Sequence, residues 1–120
     1  IGFHAHNNLQ LGFANTIEAL INGATRLDAT INGLGRGAGN CPLELLLGFL
    51  HNPKYNQRPV LDCITDIFVP MRDELDWGYS IPYSVTGRMN QHPKAAIKWR
   101  AGETPDDYVT FYDQMLEGTS

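Results

Sequence analysis

The strongest constraint on this chain is the way its hydrophobic spacing changes period within the first fifty residues. Around Ile1-Gly-Phe-His4-Ala-His6 the side chains alternate, so Phe3 and Ala5 share one face and His4 and His6 the other. From about Leu11 to Asn22 the period lengthens. Ala14, Ile17, Leu20 and Ile21, continued by Ala24, recur at helical spacing and predict an amphipathic helix, with Gly23 where a left-handed cap is expected. Residues 26–31, Arg-Leu-Asp-Ala-Thr-Ile, return to period two, with Leu27, Ala29 and Ile31 on one face and Asp28 and Thr30 on the other. A glycine-rich run, Gly33-Leu-Gly35-Arg36-Gly37-Ala-Gly39-Asn40, follows. Pro42, tolerated in a first turn, then opens a helix through Leu43, Leu46, Leu47 and Leu50. Strand, helix, strand, loop, helix predicts βαβ units and a parallel sheet, the α/β class.

Buried parallel strands are usually apolar on both faces. Two successive strands that each keep a polar face predict polar faces converging on a shared interior. Two imidazoles on one face of a strand can serve one metal ion, although a His-x-His pair is also compatible with plain hydrogen-bonding groups in a packed environment. The glycine run formally matches G-x-G-x-x-G/A through Gly33, Gly35 and Ala38. The acidic end of a further strand that a dinucleotide site requires is lacking, because the region around Tyr55 is polar and flanked by proline. Alternating glycines also suit a loop whose backbone N–H groups hold a carboxylate or phosphate close to the following helix, or a flexible turn. Cys41 stands near that helix start, where a thiol pKa can fall; it reads equally as a buried or exposed cysteine without a chemical role.

Beyond His51 the composition turns polar, and the stretch from Asn52 to Pro59 divides the chain into residues 1–51 and 52–120. No strand is expected in the second part. Val60, Ile64, Ile67, Phe68 and Met71 predict a helix bent at Pro70 and ending near Trp77-Gly78; Tyr79–Tyr83 reads as an extended link, and Pro93 to Trp99 as a short helix. Thr104-Pro105-Asp106-Asp107 combines a cap, a first-turn proline and dipole-favoured acids. Tyr108, Phe111, Tyr112 and Met115 then form a stripe that reads as core or interface rather than as a cofactor box. The formal charge is -4 and the nine Lys and Arg residues are scattered in sequence, which argues against a nucleic-acid partner; no apolar run approaches a membrane span of roughly 20 residues. Two cysteines 22 apart fit neither a disulfide framework nor a metal knuckle and predict reduced thiols in a cytoplasm. With no initiator Met, and an opening that reads as a buried strand, residue 1 is not expected to be a natural start.

His4-Ala-His6-Asn7-Asn8-Leu9, Ala14-Asn15, Gly23-Ala24, Asp28-Ala-Thr30-Ile-Asn-Gly-Leu-Gly35 and Gly37-Ala-Gly39-Asn40 fall in order over some forty residues. Together they resemble the metal-dependent aldolase, lyase and acyltransferase superfamily called DRE-TIM metallolyases. The resemblance implies the C-terminal part of a TIM (β/α)8 barrel: residues 1–51 as its last two βα units, then a mostly helical tail, the acidic ligand and catalytic base lying upstream. It further implies His4 and His6 as ligands of Mn2+ or Mg2+, Asn40 as a further polar ligand or a substrate contact, and substrate contacts from Asn8, Asp28, Thr30, Gly35, Arg36 and Gly37. Arg26-Leu-Asp28-Ala and Gly-Asn40-Cys-Pro-Leu-Glu44 look most like 4-hydroxy-2-oxoacid aldolases, which implies cleavage or formation of a C–C bond through a pyruvate enolate. The isopropylmalate and homocitrate synthase branch, which condenses acyl-CoA, usually has Asp near Asn8 and Gly-Glu-Arg where Gly35-Arg36-Gly37 stands. In the hydroxymethylglutaryl-CoA lyases a catalytic cysteine lies inside the glycine loop, whereas Cys41 follows it. The implied partners are a small 2-oxo acid and, through the C-terminal helices, a second copy or a partner enzyme. The remaining alternative is a non-catalytic domain with a structural His pair.

Overall fold

The computed structural model describes residues 1–119. Strand β1 (Gly2–His4) is followed by helix α1 (Gly12–Ile21) and strand β2 (Arg26–Asp28), and the strands pair in parallel with Phe3 opposite Leu27 and His4 opposite Asp28. Among the described residues these are the only strands. Helix α1 ends where Gly23 turns to φ +103°; the N–H groups of Gly23 and Ala24 donate to the carbonyls of Leu20 and Ala19, which satisfies the last turn.

The period-two pattern of residues 26–31 is realised only in part. Pairing with β1 stops at Asp28, a 3-10 turn occupies Ile31–Gly33, and Thr30 bridges instead to Pro42. Its N–H donates to the Cys41 carbonyl and its carbonyl accepts from Leu43, so the chain entering helix α2 (Leu43–Leu50) takes the hydrogen bonds that a longer strand would have used. The buried side of α1 also differs from the predicted stripe. Gly12 and Thr16 are buried, while Ala14, Leu20 and Ile21 are exposed. The small Gly12 lets the helix approach Asn7, whose Oδ1 accepts the Gly12 N–H at 3.1 Å, and Thr16 Oγ1 donates back to the Gly12 carbonyl.

The second part is helical: α3 (Arg58–Cys63), a π-helical stretch (Ile64–Phe68), α4 (Val69–Met71), α5 (Ile81–Arg88), α6 (Lys94–Arg100) and α7 (Tyr108–Thr119). The bend expected at Pro70 appears as the widened π turn just before it. A proline ring crowds the carbonyl four residues back, here that of Asp66, and the wider turn relieves that clash. The helix ends at Met71, short of Trp77. Residues 81–83, expected to be extended, open α5 with Pro82 in the first turn, where its missing N–H has no helical partner to lose. Helix α7 begins at Tyr108 rather than after Thr104, because Asp107 is its cap: Oδ1 accepts the Thr110 N–H and Oδ2 the Thr110 hydroxyl.

The main core joins Ala38 of the glycine loop to Tyr83, Ala96 and Phe111, with Met115 and Trp99 packed against it. Phe111 thus serves as core, whereas Tyr112 faces solvent. The strands sit apart from this core. Ile1 is exposed, and the side chains of His4 and Asp28, on one side of the two-stranded sheet, are 46% and 53% exposed. The molecule is a slab of 50 × 35 × 17 Å. Its radius of gyration of 16.1 Å exceeds the roughly 14 Å of a compact chain of this length, as befits a two-stranded sheet with no further strand beside it among the described residues. No helix among the described residues is long and apolar enough to cross a membrane.

Two contacts set the stability of the second part. Trp77, 4% exposed, donates its indole N–H to the Asn32 carbonyl at 3.0 Å, and its ring lies under the Arg72 guanidinium. Trp77→Ala should lower the unfolding free energy by about 3–5 kcal/mol, and Trp77→Phe, which keeps most of the ring but orphans the carbonyl, by about 1–2 kcal/mol, read from urea midpoints. Arg100 grips Asp76 through both carboxylate oxygens and thereby holds its pKa below the ordinary carboxylate value, with burial opposing. A depressed folded pKa contributes stability above the unfolded value and loses it as pH falls through the folded one. The urea midpoint should therefore drop as pH falls below about 4, and Asp76→Asn should flatten that part of the profile.

Candidate metal and substrate site

His4 closes β1 and His6 lies two residues on, and the alternation that places both on one side is borne out: the rings meet edge to face with centroids 5.1 Å apart. Their position at the carboxyl end of parallel strands is where α/β folds gather ligands. Asp28, in register with His4, brings Oδ2 to 3.4 Å from His4 Nδ1. His6 forms an antiparallel bridge with Asn40, and the Asn7 N–H donates to the Gly39 carbonyl, so the glycine loop is stitched directly onto the imidazole-bearing segment.

The loop is a packed element and no flexible turn: Gly37 to Cys41 are all buried. Gly39 has φ +83°, and a Cβ there would run into the Gly33 carbonyl, which itself accepts the Asn40 N–H. A Cβ on Gly35 would fall 2.7 Å from Asn40 Nδ2. The absent side chain leaves room for the Asn40 amide, whose Nδ2 donates to the Leu34 carbonyl while Oδ1, buried, has no partner. Thr30 Oγ1 is likewise buried and unpartnered. An unsatisfied buried acceptor on a residue whose backbone bridges to His6 is a feature that calls for a donor or a cation.

His6, Asn8 and Arg36, with His92 and Pro93, line one cavity of about 320 Å³. His4, Asp28 and Thr30 lie outside it; Gly37 instead borders a second cavity, on the other side of Arg36. Among the described residues no three His, Cys, Asp or Glu side chains stand together as a complete metal cage. Nothing along the chain singles out His92, one imidazole in a polar loop; its Nδ1 accepts the Lys94 N–H at 3.1 Å. Tyr83, at the end of the stretch expected to be an extended link, is 1% exposed, its ring against Gly37. Cys41 is fully buried, and burial raises its thiol pKa, partly offset by Thr16 and reinforced by Glu44, so the position near a helix start does not activate it. Both cysteines are free thiols.

A family model described as HMGL-like matches residues 1–67. The 4-hydroxy-2-oxovalerate aldolase of Marinomonas sp. (strain MWYL1) is 42% identical over 96 residues, covering 70% of this chain and 28% of the relative. That of Thermus thermophilus is 42% identical with the same coverage. The chain thus spans a little over a quarter of the length of these curated relatives. A solved structure, the N-terminal domain of a protein assigned as an aldolase from Bacteroides vulgatus, superposes with a TM-score of 0.71 at 41% identity, covering 85% of this chain and 35% of that one. Coverage of that extent carries the likeness past residue 51 and into the helices.

Gly39→Ala should be among the most damaging single changes in the loop. The positive φ alone costs on the order of 1–2 kcal/mol, and the collision with the Gly33 carbonyl adds to it. The expected result is a lower urea midpoint, together with loss of hydrogen-exchange protection at the Asn40 amide.

Proposed function

The chain belongs to the HMGL-like family, and from that premise we propose that it forms the carboxyl-terminal part of a divalent-metal-dependent aldolase that cleaves or forms a C–C bond in 4-hydroxy-2-oxo acids. In this reading residues 1–51 are the last two βα units of a (β/α)8 barrel, residues 52–120 are a helical region laid against their glycine loop, and the protein works in the cytoplasm. The observation that carries it is the His4–His6 pair, two rings 5.1 Å apart on one side of a strand end.

The donor set suits a hard or borderline divalent cation such as Mn2+ or Mg2+: two imidazoles and the unpartnered Oδ1 of Asn40. Bound there, the cation would supply positive charge to the oxygen on which negative charge develops as the C–C bond breaks. Asp28 serves His4 as a positioning group: a carboxylate beside Nδ1 favours the proton there and leaves Nε2 free to bind. Asn8 and Arg36 offer an amide and a guanidinium to the 2-oxo acid within the cavity they share with His6. Gly35 and Gly37 flank Arg36 in the loop that presents it to the substrate, Thr30 contributes its unpartnered hydroxyl from just beyond the second strand, and no residue of this chain is assigned the proton transfer. The names of the relatives favour the aldolase over an acyl-CoA-condensing synthase.

The test is pyruvate release from a 4-hydroxy-2-oxo acid by the intact protein with added Mn2+ and with a chelator. His4→Ala and His6→Ala should each lower kcat by on the order of 10² or more, and chelation should do the same. Cys41→Ser should keep kcat near wild type while reducing stability, because a hydroxyl replaces a buried thiol. Full activity without metal, or in both His variants, would sink this reading.

A further inference from the structure

The nine Lys and Arg residues are scattered in sequence, yet four of them, Arg36, Lys94, Lys98 and Arg100, line one cavity of about 490 Å³. A single acid, Asp76, shares that lining, and both its oxygens are held by Arg100 at 2.7 and 2.8 Å. Arg36, Lys94 and Lys98 make no ion pair among the described residues. In a chain of formal charge -4, three uncompensated cations around one concavity invert the local sign, and a concave low-dielectric wall concentrates the field of such charges. The place of this cavity matters as much as its charge. Arg36 borders both it and the cavity that holds His6 and Asn8, and Pro93 of the one is followed directly by Lys94 of the other. The remaining wall is built from Gly37, Tyr83, Ile97 and Ala101, where the glycine loop meets the helical core.

We propose that this cavity is an anion subsite for the end of the substrate remote from the 2-oxo acid, so that the preferred 4-hydroxy-2-oxo acid carries a second negative group, a carboxylate or a phosphate. The inference rests on the aldolase reading. Arg36 stands at the junction, where its guanidinium can face the reacting end, while Lys94 and Lys98, one helical turn apart on α6, present two ammonium groups to the distal anion.

The experiment compares kcat/KM of the intact protein for 4-hydroxy-2-oxo acids that differ only in a terminal methyl, carboxylate or phosphate, at fixed ionic strength because exposed cations are screened by salt. The better anionic substrate should exceed the methyl one by about tenfold or more, and which arm wins identifies the anion. In the double variant Lys94→Ala/Lys98→Ala the ratio should collapse towards one through a raised KM for the anionic substrate, while Lys54→Ala, outside both cavities, should preserve it. A wild-type ratio near one, or a ratio that survives the double variant, overturns the subsite and leaves the aldolase reading standing. Cleavage of none of the three overturns the aldolase reading, and the subsite is then judged by titration with succinate and with inorganic phosphate. Saturable binding that the double variant abolishes supports it, and absence of saturable binding in the wild type overturns it.

Discussion

The structure depends on one requirement: a glycine-rich loop that is buried must have its backbone polar groups satisfied by something other than water. Three separate segments meet that requirement. The Asn7 N–H from the imidazole-bearing segment donates to the Gly39 carbonyl, the loop closes on itself through Asn40 N–H to the Gly33 carbonyl, and the helical part supplies the rest. Trp77 donates to Asn32 and Gly78 to Gly37, at 3.0 Å each. The Trp77 ring is fixed in turn by the Arg72 guanidinium stacked on it, whose Nη1 also donates to the Trp77 carbonyl. The short turn between α4 and α5 is therefore a clasp: without it the carbonyls of Asn32 and Gly37 would lose these partners, next to the Ala38 that packs on the Tyr83–Phe111 core.

That clasp explains which features are legible in the sequence and which are not. Local rules work where neighbours along the chain decide the outcome. Parity puts His4 and His6 on one side, Gly23 ends α1 with positive φ, and Pro42 precedes α2. They fail where a distant partner decides. Nothing within residues 26–31 reveals that Thr30 will bond to Cys41 and Leu43 rather than extend β2. Nothing near Tyr83 reveals that a ring in a proline-containing stretch will fill the space beside Gly37, although Ser80 followed by Pro82 in the first turn is a start signal for the α5 helix that an extended reading passes over. On α1, periodicity identifies a helix but mistakes its buried side, because Gly12 and Thr16 are chosen for closeness to Asn7 and Cys41 and not for hydrophobicity.

The candidate site divides in the same way. The imidazole pair and the glycine loop are contiguous motifs and legible as such. His92, Lys94 and Lys98 are not, since each is an ordinary polar residue until the helices carry it to Arg36. Charge patterning along the chain misleads for a related reason. A one-dimensional reading sees dispersed cations, whereas the fold brings four of nine to one concavity and neutralises only one of them.

Arg36 is the residue at which the imidazole side and the cationic side of the molecule meet. It sits in the loop between Gly35, whose missing side chain makes room for the Asn40 amide, and Gly37, whose missing side chain makes room for Tyr83. A side chain at either neighbour would displace the Asn40 amide or the Tyr83 ring. The glycines therefore do more than permit a turn: they fix the packing on either side of Arg36, which borders both cavities. The position of Arg36 relative to both is in this way written into two residues that carry no chemistry of their own. From the helical side the clasp at Trp77 and Gly78 anchors the same loop through the Asn32 and Gly37 carbonyls, so Arg36 is held between two fixed neighbours.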